Sequence, residues 1–394
     1  MHTIKSRKIF FVLEGSNAVA TSYFGNYIYF LLRDRFDFGN LGNLAVSGLG
    51  GLVFMFAAWQ GGKFAQRFGY YTSLRTGFGC MGLWLCLGAL FPTLTVAVLV
   101  LAGWTAAMCF TWPALEALVS DGVPDDVLPK NIGIYNVVWA TAAAVAYFFG
   151  GTLYEVLGHN SIFWLPAIIH GGQFLVVMRL GKNPVHTAPG AAAAVAAPHP
   201  IEAVAFTQPV SPQTFLRMVW LAIPFSYIGI TTVVAVIPAL AKTLGLSTAQ
   251  AGLFCSIWMF CRLAAFAVLW QWTGWHYRFR WLLGAFLGLT ASFSLLLLSH
   301  NLAMLVAAQV IFGAAVGLIY YSSLFYSMDV GETKGEHGGL HEAMIGTGVC
   351  VGPTVGAASL YLAPGSPNAG AYAVTLLLAC GLAGLISLRV RRKA

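Results

Sequence analysis

Long apolar segments recur along the chain, about six before residue 181 and about six after residue 213, with short polar segments between them. An apolar segment of about 20 residues crosses the hydrocarbon core of a bilayer as a helix, which satisfies its own backbone hydrogen bonds. Spanning β-strands would instead alternate apolar and polar residues over about ten positions. The pattern therefore predicts an all-α integral membrane protein with twelve transmembrane helices.

One long segment has no predicted span. Residues 181–213 contain an alanine run, several prolines and scattered polar residues, with neither a helical period nor a strand alternation. This composition is typical of a linker between structured units. We therefore predict a six-helix bundle over residues 1–180, a cytoplasmic linker over 181–213 and a second six-helix bundle over 214–394.

Composition and charge agree with a membrane protein. Of 394 residues, 58% are hydrophobic and 9% are charged, whereas soluble domains have about 25% charged residues. The net charge of +8 would suggest a nucleic-acid partner for a soluble protein, but almost all basic residues fall on one side of the twelve-span topology. Arg33, Arg35 and Lys242 fall on the other side. The positive-inside rule then places both termini and the linker in the cytoplasm of a plasma (inner) membrane protein, with no nucleic-acid partner.

Ionisable side chains inside predicted spans mark a candidate pathway for a solute or an ion, because such groups are costly when they face lipid. Glu14 and Asn17 share one face of span 1. Arg262 lies near the middle of span 8, too deep to reach either membrane surface. The alternatives are an interfacial position for Glu14 and a structural ion pair for Arg262. Glu116, one turn from the end of span 4, either lines a cavity or caps the helix.

Three further spans contribute aromatic, amide and ionisable side chains to this candidate pathway. Those of span 5 recur at helical spacing, which places them on one face. The alternatives are core packing in span 5, an aromatic belt in span 10 and helix capping in span 11. These candidates are Tyr135, Asn136, Trp139, Tyr320, Tyr321, His341 and Glu342.

Motifs for metal, nucleotide or hydrolytic chemistry are missing from the sequence. The seven cysteines fall inside predicted spans without CxxC or Cys/His ligand spacing, so we expect them to pack as small apolar residues. We expect no metal site and no cofactor. No P-loop occurs, so ATP is not expected as the direct energy source, and the lack of HExxH and GxSxG motifs disfavours an enzyme.

The two halves of the chain resemble each other weakly at a nearly constant offset. Gln66 aligns with Gln271 and Asp121 with Asp329, which are separations of 205 and 208 residues. Independent helices would not keep one offset, so the pattern indicates an internal repeat. The fold class that follows is two pseudo-symmetric six-helix bundles.

The segment after span 2 resembles the G-x-x-x-D-R-x-G loop of the major facilitator superfamily. It matches that pattern at Gly62, Arg67 and Gly69, with Gln66 in place of the acidic residue. The resemblance implies two parallel six-helix repeats, a substrate site between them near the middle of the membrane, and a gating role for these three residues.

These observations predict a secondary active transporter that moves a small solute by alternating access, with an anion as the solute considered for Arg262. The predicted coupling ion is H⁺, with Na⁺ as the alternative, and the protein is expected to be a monomer in the bilayer. Glu14, His341 and Glu342 are the candidate proton carriers, and Arg262 would bind the solute or an unprotonated carboxylate. The alternatives are an exporter of amphipathic compounds of the multidrug antiporter type and a sensor that does not transport.

Overall fold

The computed structural model describes residues 2–120, 123, 128–180, 211–299, 301–330 and 334–390. In these ranges fourteen helices form twelve spans, because two of the spans are interrupted once each. Residues 181–210 of the predicted linker lie outside the described residues. Residues 212 and 213, which we assigned to the end of the linker, belong to a helix that begins at Pro212.

The first half contains six spans, and the fourth is interrupted at residues 109–111. Pro113 explains the position of the interruption, because proline has no backbone donor for the carbonyl four residues earlier. The helices of this half are α1 (His2–Phe36), α2 (Asn40–Phe68), α3 (Tyr70–Leu90), α4 (Leu94–Met108), α5 (Trp112–Ser120), α6 (Leu128–Leu157) and α7 (Ser161–Leu180).

The second half also contains six spans, and here the second is interrupted at Ser256. The first of these spans begins with a proline in its first turn, where the missing backbone donor costs nothing. The helices are α8 (Pro212–Thr243), α9 (Thr248–Cys255), α10 (Ile257–Gln271), α11 (Phe279–Leu298), α12 (Leu302–Val330), α13 (Lys334–Leu362) and α14 (Ala369–Val390).

Within the described ranges, eleven spans are long and apolar enough to cross a membrane. The remaining span is α1, which is more polar than the others and packs against α6 and α7. Its polar residues Glu14, Asn17 and Asn26 are buried in the protein. Burial explains how this helix can cross the membrane, because its polar groups do not face lipid.

The most extensive contacts between the two halves join two pairs of spans, α2 with α13 and α6 with α9 and α10, and α8 also contacts α1 and α2. Each of the two pairs depends on a glycine. A Cβ atom at Gly51 would lie 2.5 Å from the backbone of Cys350, and one at Gly151 would lie 2.2 Å from the carbonyl oxygen of Thr248. Backbone atoms can move away only if the whole helix moves, whereas a flexible side chain can change its rotamer. These positions therefore require glycine for the helices to approach this closely.

Candidate substrate cavity between the two halves

A cavity of about 270 Å³ lies between the halves. The first half contributes α1, α2, α4, α5 and α6 to its walls, and the second contributes α8, α10, α12 and α13. The lining combines aromatic rings, amides and hydroxyls with four ionisable residues, which is typical of a small-molecule site. Seven of the ten predicted pathway residues line it, namely Glu14, Tyr135, Asn136, Trp139, Arg262, Tyr320 and Glu342.

Asn17 does not line the cavity, although it shares a helix face with Glu14. Its side chain is buried and donates a hydrogen bond of 3.4 Å to Oγ1 of Thr111, at the interruption between α4 and α5. The prediction of a pathway role for Asn17 is therefore not supported by its position. Instead this residue connects α1 to the interrupted span.

Tyr321 and His341 also lie away from the cavity lining. Successive residues on a helix point about 100° apart, so one of two neighbours can face the cavity while the other faces away from it. Tyr320 and Glu342 take the cavity positions. Tyr321 packs in the helix bundle, while Nδ1 of His341 lies 3.0 Å from Oγ of Ser323. Both residues are thus part of the packing of the second half.

The three residues of the loop motif lie outside the cavity lining. Gly69 joins α2 to α3 with φ of 89°, a backbone conformation that favours glycine. The guanidinium of Arg67 lies 5.2 Å from the ring centre of Phe68. A Cβ atom at Gly62 would meet no atom within 4 Å. The gating role predicted for these residues stays a prediction.

Glu116 is the lining residue that the sequence left most open. It lies on α5, faces the cavity, and is close enough to Glu14 and to Glu342 to interact electrostatically with each. Three carboxyl groups from both halves thus surround one space. The signal in the sequence was the neighbouring Pro113, because the interruption of span 4 allows α5 to take its own direction.

Glu14 is the most deeply buried of these carboxyl groups, with no exposed surface. Tyr135 and Asn17 lie near enough to interact with it, but neither makes a hydrogen bond of good geometry to its oxygens. A buried carboxylate without a partner is costly in a membrane. Glu14 is therefore arranged to meet either a proton or a cationic group in the cavity.

Arg262 supplies a positive charge to the cavity and is only 4% exposed. Its guanidinium carbon lies 4.6 Å from the ring centre of Trp139 and 5.1 Å from that of Trp258. Both distances suit cation–π interactions, and Trp139 belongs to the opposite half. In the part of the chain that the structure describes, the only ion pair joins Arg33 and Asp34. The alternative of a structural ion pair for Arg262 is therefore wrong within these residues.

Two tyrosines of the cavity lining lie near both the guanidinium and the carboxyl groups. Tyr227 and Tyr320 each interact electrostatically with Arg262 and also with Glu116 and Glu342. Arg262 has no hydrogen-bond partner at Nε among the described residues. The cavity therefore has a carboxyl region and a guanidinium region that do not neutralise each other by direct contact.

Hydrogen bonds connect the two halves at one end of the molecule. Arg33 donates from Nη1 to the carbonyl oxygen of Pro238 at 2.8 Å and from Nη2 to Oγ1 of Thr248 at 3.1 Å. Oε1 of Glu155 accepts a hydrogen bond of 2.9 Å from the backbone N–H of Ala249, in the first turn of α9. We call these five residues the Arg33 latch, and their end of the molecule the Arg33 end.

The described residues contain no group of three His, Cys, Asp or Glu side chains arranged to hold a metal ion. All seven cysteines are free, and Cys109 and Cys255 are buried in the helix packing.

Two six-helix halves with a cavity between them, lined by residues of both, define a multi-pass membrane protein with a transporter fold. The sequence profile of the Major Facilitator Superfamily matches residues 18–232, more than half of the chain. The protein belongs to this superfamily. No curated protein sequence matches the chain.

Solved structures of transporters share the complete fold. The nucleoside transporter NupG matches with a TM-score of 0.72 and 12% identity, over 98% of this chain and 99% of its own. A bacterial homologue of the human lysosomal transporter Spinster, in an inward-facing and unoccupied conformation, matches with a TM-score of 0.67 and 11% identity, over 99% of this chain and 95% of its own. At these identities the likeness establishes the fold and leaves the substrate to the site.

Proposed function

We propose that the protein is a secondary active transporter that moves a small solute by alternating access. The supporting observation is the lining of the cavity, where Glu14 and Glu116 of one half face the same space as Arg262 and Glu342 of the other. A solute that contacts both halves can favour one arrangement of them over another. Rocking of the halves around such a site would expose it to each side of the membrane in turn.

The contacts at the Arg33 end support this proposal because they can be broken. The Arg33 latch consists of a few hydrogen bonds, worth about 0.5–3 kcal/mol each depending on charge. Glu155 is exposed, so water can replace its bond to Ala249. The latch would hold this end closed in one state and release it in the other.

Glu155→Ala should weaken the latch and open the Arg33 end more often. A thiol at position 231, introduced as Thr231→Cys into a cysteine-free background, would line the cavity and report the opening. We expect its alkylation by an impermeant maleimide, applied from the Arg33 end, to accelerate about threefold to tenfold. Lys242→Ala removes a charge at the same end outside the latch and serves as the control. Equal rates in all three proteins would contradict the role of the latch.

We further propose that Glu14 carries the coupling proton. A carboxyl group that is exposed to water in one state and shielded in another changes how readily it holds a proton, because burial penalises the charged form. Glu14 has the required burial and lies in the cavity lining. Na⁺ is the competing coupling ion, and it needs a test of its own.

Glu14→Gln should remove the response of transport to a pH gradient and leave exchange of solute intact. Glutamine keeps the shape of the side chain but cannot give up a proton. We expect proteoliposomes of the wild type to accumulate solute with an imposed pH gradient, and those of the variant to show counterflow only. Glu155→Gln, at the latch, should keep the response. A wild-type response to a Na⁺ gradient alone, or a pH response in Glu14→Gln, would refute the proposal.

The orientation that fits this function places both termini and the linker on the cytoplasmic side of the plasma (inner) membrane. The distribution of basic residues supports it, since Arg33, Arg35 and Lys242 are the exceptions at the Arg33 end. The Arg33 end would then face outward. The proposal also includes two bundles, one over residues 1–180 and the other from the start of α8 at Pro212. We propose that the protein acts as a monomer.

A further inference from the structure

If the cavity is the solute site, as proposed above, it also indicates the charge type of the solute. We infer that the solute is a small zwitterion, whose cationic group binds at Glu116 and whose anionic group binds at Arg262. This assignment goes beyond the anionic solute that the sequence suggested for Arg262. It depends on two regions of opposite charge that line one cavity and do not pair with each other.

The carboxyl region calls for a cation. Glu14, Glu116 and Glu342 all line the cavity, and Glu116 interacts electrostatically with each of the other two. Glu116 lines the cavity and is partly exposed, and no basic residue among the described residues forms an ion pair with it. A solute ammonium has three donors and could bond to the oxygens of this carboxylate. An anionic solute would instead add negative charge to this region.

The guanidinium region calls for an anion. Trp139 and Trp258 lie at cation–π distance from Arg262, so aromatic rings already occupy part of its surroundings. Its N–H donors lie in the plane of the group and remain suited to a carboxylate, which accepts two parallel hydrogen bonds. Among the described residues, no carboxylate forms an ion pair with Arg262. A purely cationic solute would leave this charge uncompensated.

The space between the two regions favours a short solute with a flat apolar body. Tyr227 and Tyr320 lie near both charged regions, and Trp139 stacks on Tyr320 with ring centres 5.8 Å apart. Aromatic walls of this kind bind flat groups through stacking and apolar burial. A zwitterion also leaves the net charge of the cavity unchanged, so Glu14 would remain free to carry the proton.

Matched probes that differ only in charge would test this inference. L-tryptophan has both charges, tryptamine lacks the carboxylate, and indole-3-propionate lacks the ammonium. Binding to the purified full-length protein in nanodiscs can be measured by calorimetry or thermal shift, with uridine as an uncharged probe. We expect L-tryptophan to bind about tenfold or more tightly than either singly charged analogue, because each lacks one charged hydrogen-bonding group.

Two variants test which charged group of the solute binds to which residue. Arg262→Gln should remove the preference for L-tryptophan over tryptamine, and Glu116→Gln should remove the preference over indole-3-propionate. Tryptamine should still bind to Arg262→Gln, and at least as tightly as to the wild type, because the variant removes a positive charge that repels the ammonium. This binding also shows that the variant is folded. A preference that survives in both variants would overturn the assignment.

Other outcomes of the probe series contradict the inference directly. If indole-3-propionate binds as tightly as L-tryptophan or more tightly, the solute is an anion. The same result for tryptamine would indicate an amphipathic cation, and for uridine an uncharged solute. Binding of no probe would also overturn the inference, if it holds both in this series and in the aliphatic series of L-leucine, 3-methylbutylamine and 4-methylpentanoate.

Measurements of counterflow separate this inference from the proposed function. Zwitterion binding without counterflow would refute transport alone, and counterflow of uridine without zwitterion binding would refute this inference alone.

Discussion

Arg262→Lys should lower transport by about 10- to 100-fold while the protein stays folded in the membrane. Lysine keeps the positive charge, but its ammonium lacks the planar fork that binds a carboxylate through two parallel hydrogen bonds. It also loses the flat surface that faces Trp139 and Trp258. The lost charged hydrogen bonds are worth about 1.5–3 kcal/mol each, which accounts for the size of the effect.

The measurement is the initial rate of solute uptake in proteoliposomes, normalised to the amount of folded protein recovered. Arg280→Lys is a matched control, because Arg280 is exposed and also lies over an indole ring, 5.6 Å from the centre of Trp281. The control should keep its rate within about twofold, as exposed substitutions usually have small effects. Unchanged kinetics in Arg262→Lys would exclude the proposed role of the guanidinium.

Gly151→Ala should disfavour the state in which the Arg33 end is closed. The added methyl group would lie 2.2 Å from the carbonyl oxygen of Thr248, and a backbone atom at that distance can be relieved only by moving α6 away from α9. Overpacking of this kind costs about 1–3 kcal/mol. The equilibrium between the two states should therefore shift about 5- to 150-fold toward opening at this end.

The shift can be followed by alkylation of the thiol at position 231 from the Arg33 end and by the transport rate. Gly172→Ala is the control, because a Cβ atom at this helical glycine would meet no atom within 4 Å. Alanine there should preserve both the alkylation rate and transport. If Gly151→Ala behaves like the control, the close contact between α6 and α9 does not limit the conformational change.

The fold was predictable because the bilayer sets the length of each helix. Apolar segments of about 20 residues leave little choice of structure in lipid, and the repeat offset indicated two equivalent halves. Capping residues in the sequence also indicate where some helices begin. The side chains of Ser247 and Gln250 cap the start of α9 as the S-x-x-Q pattern predicts. The interruption at Ser256 had no such signal, since no proline or glycine occurs there.

The candidate site was predictable only where one residue carried its own signal. Arg262 stood out because a charge in the middle of an apolar span must face the protein interior. Its aromatic neighbours did not, since Trp139 lies on another span of the opposite half and sequence gives no distance between them. The sequence also does not show how α12 and α13 are rotated about their own axes, and so which of their residues face the cavity. For this reason Tyr320 and Tyr321, and His341 and Glu342, could not be separated in advance.

The position of Arg262 between an indole of each half has a consequence for solute release. In the proposed cycle the halves part on one side, and Trp139 would move away from the guanidinium while Trp258, from the same half as Arg262, would stay with it. The same residue would then offer a differently shielded charge to the solute in each state. The solute should therefore dissociate at different rates toward the two compartments. The apparent affinity for the solute would then differ between the two sides of the membrane, while the gradients of solute and coupling ion set the net direction of transport.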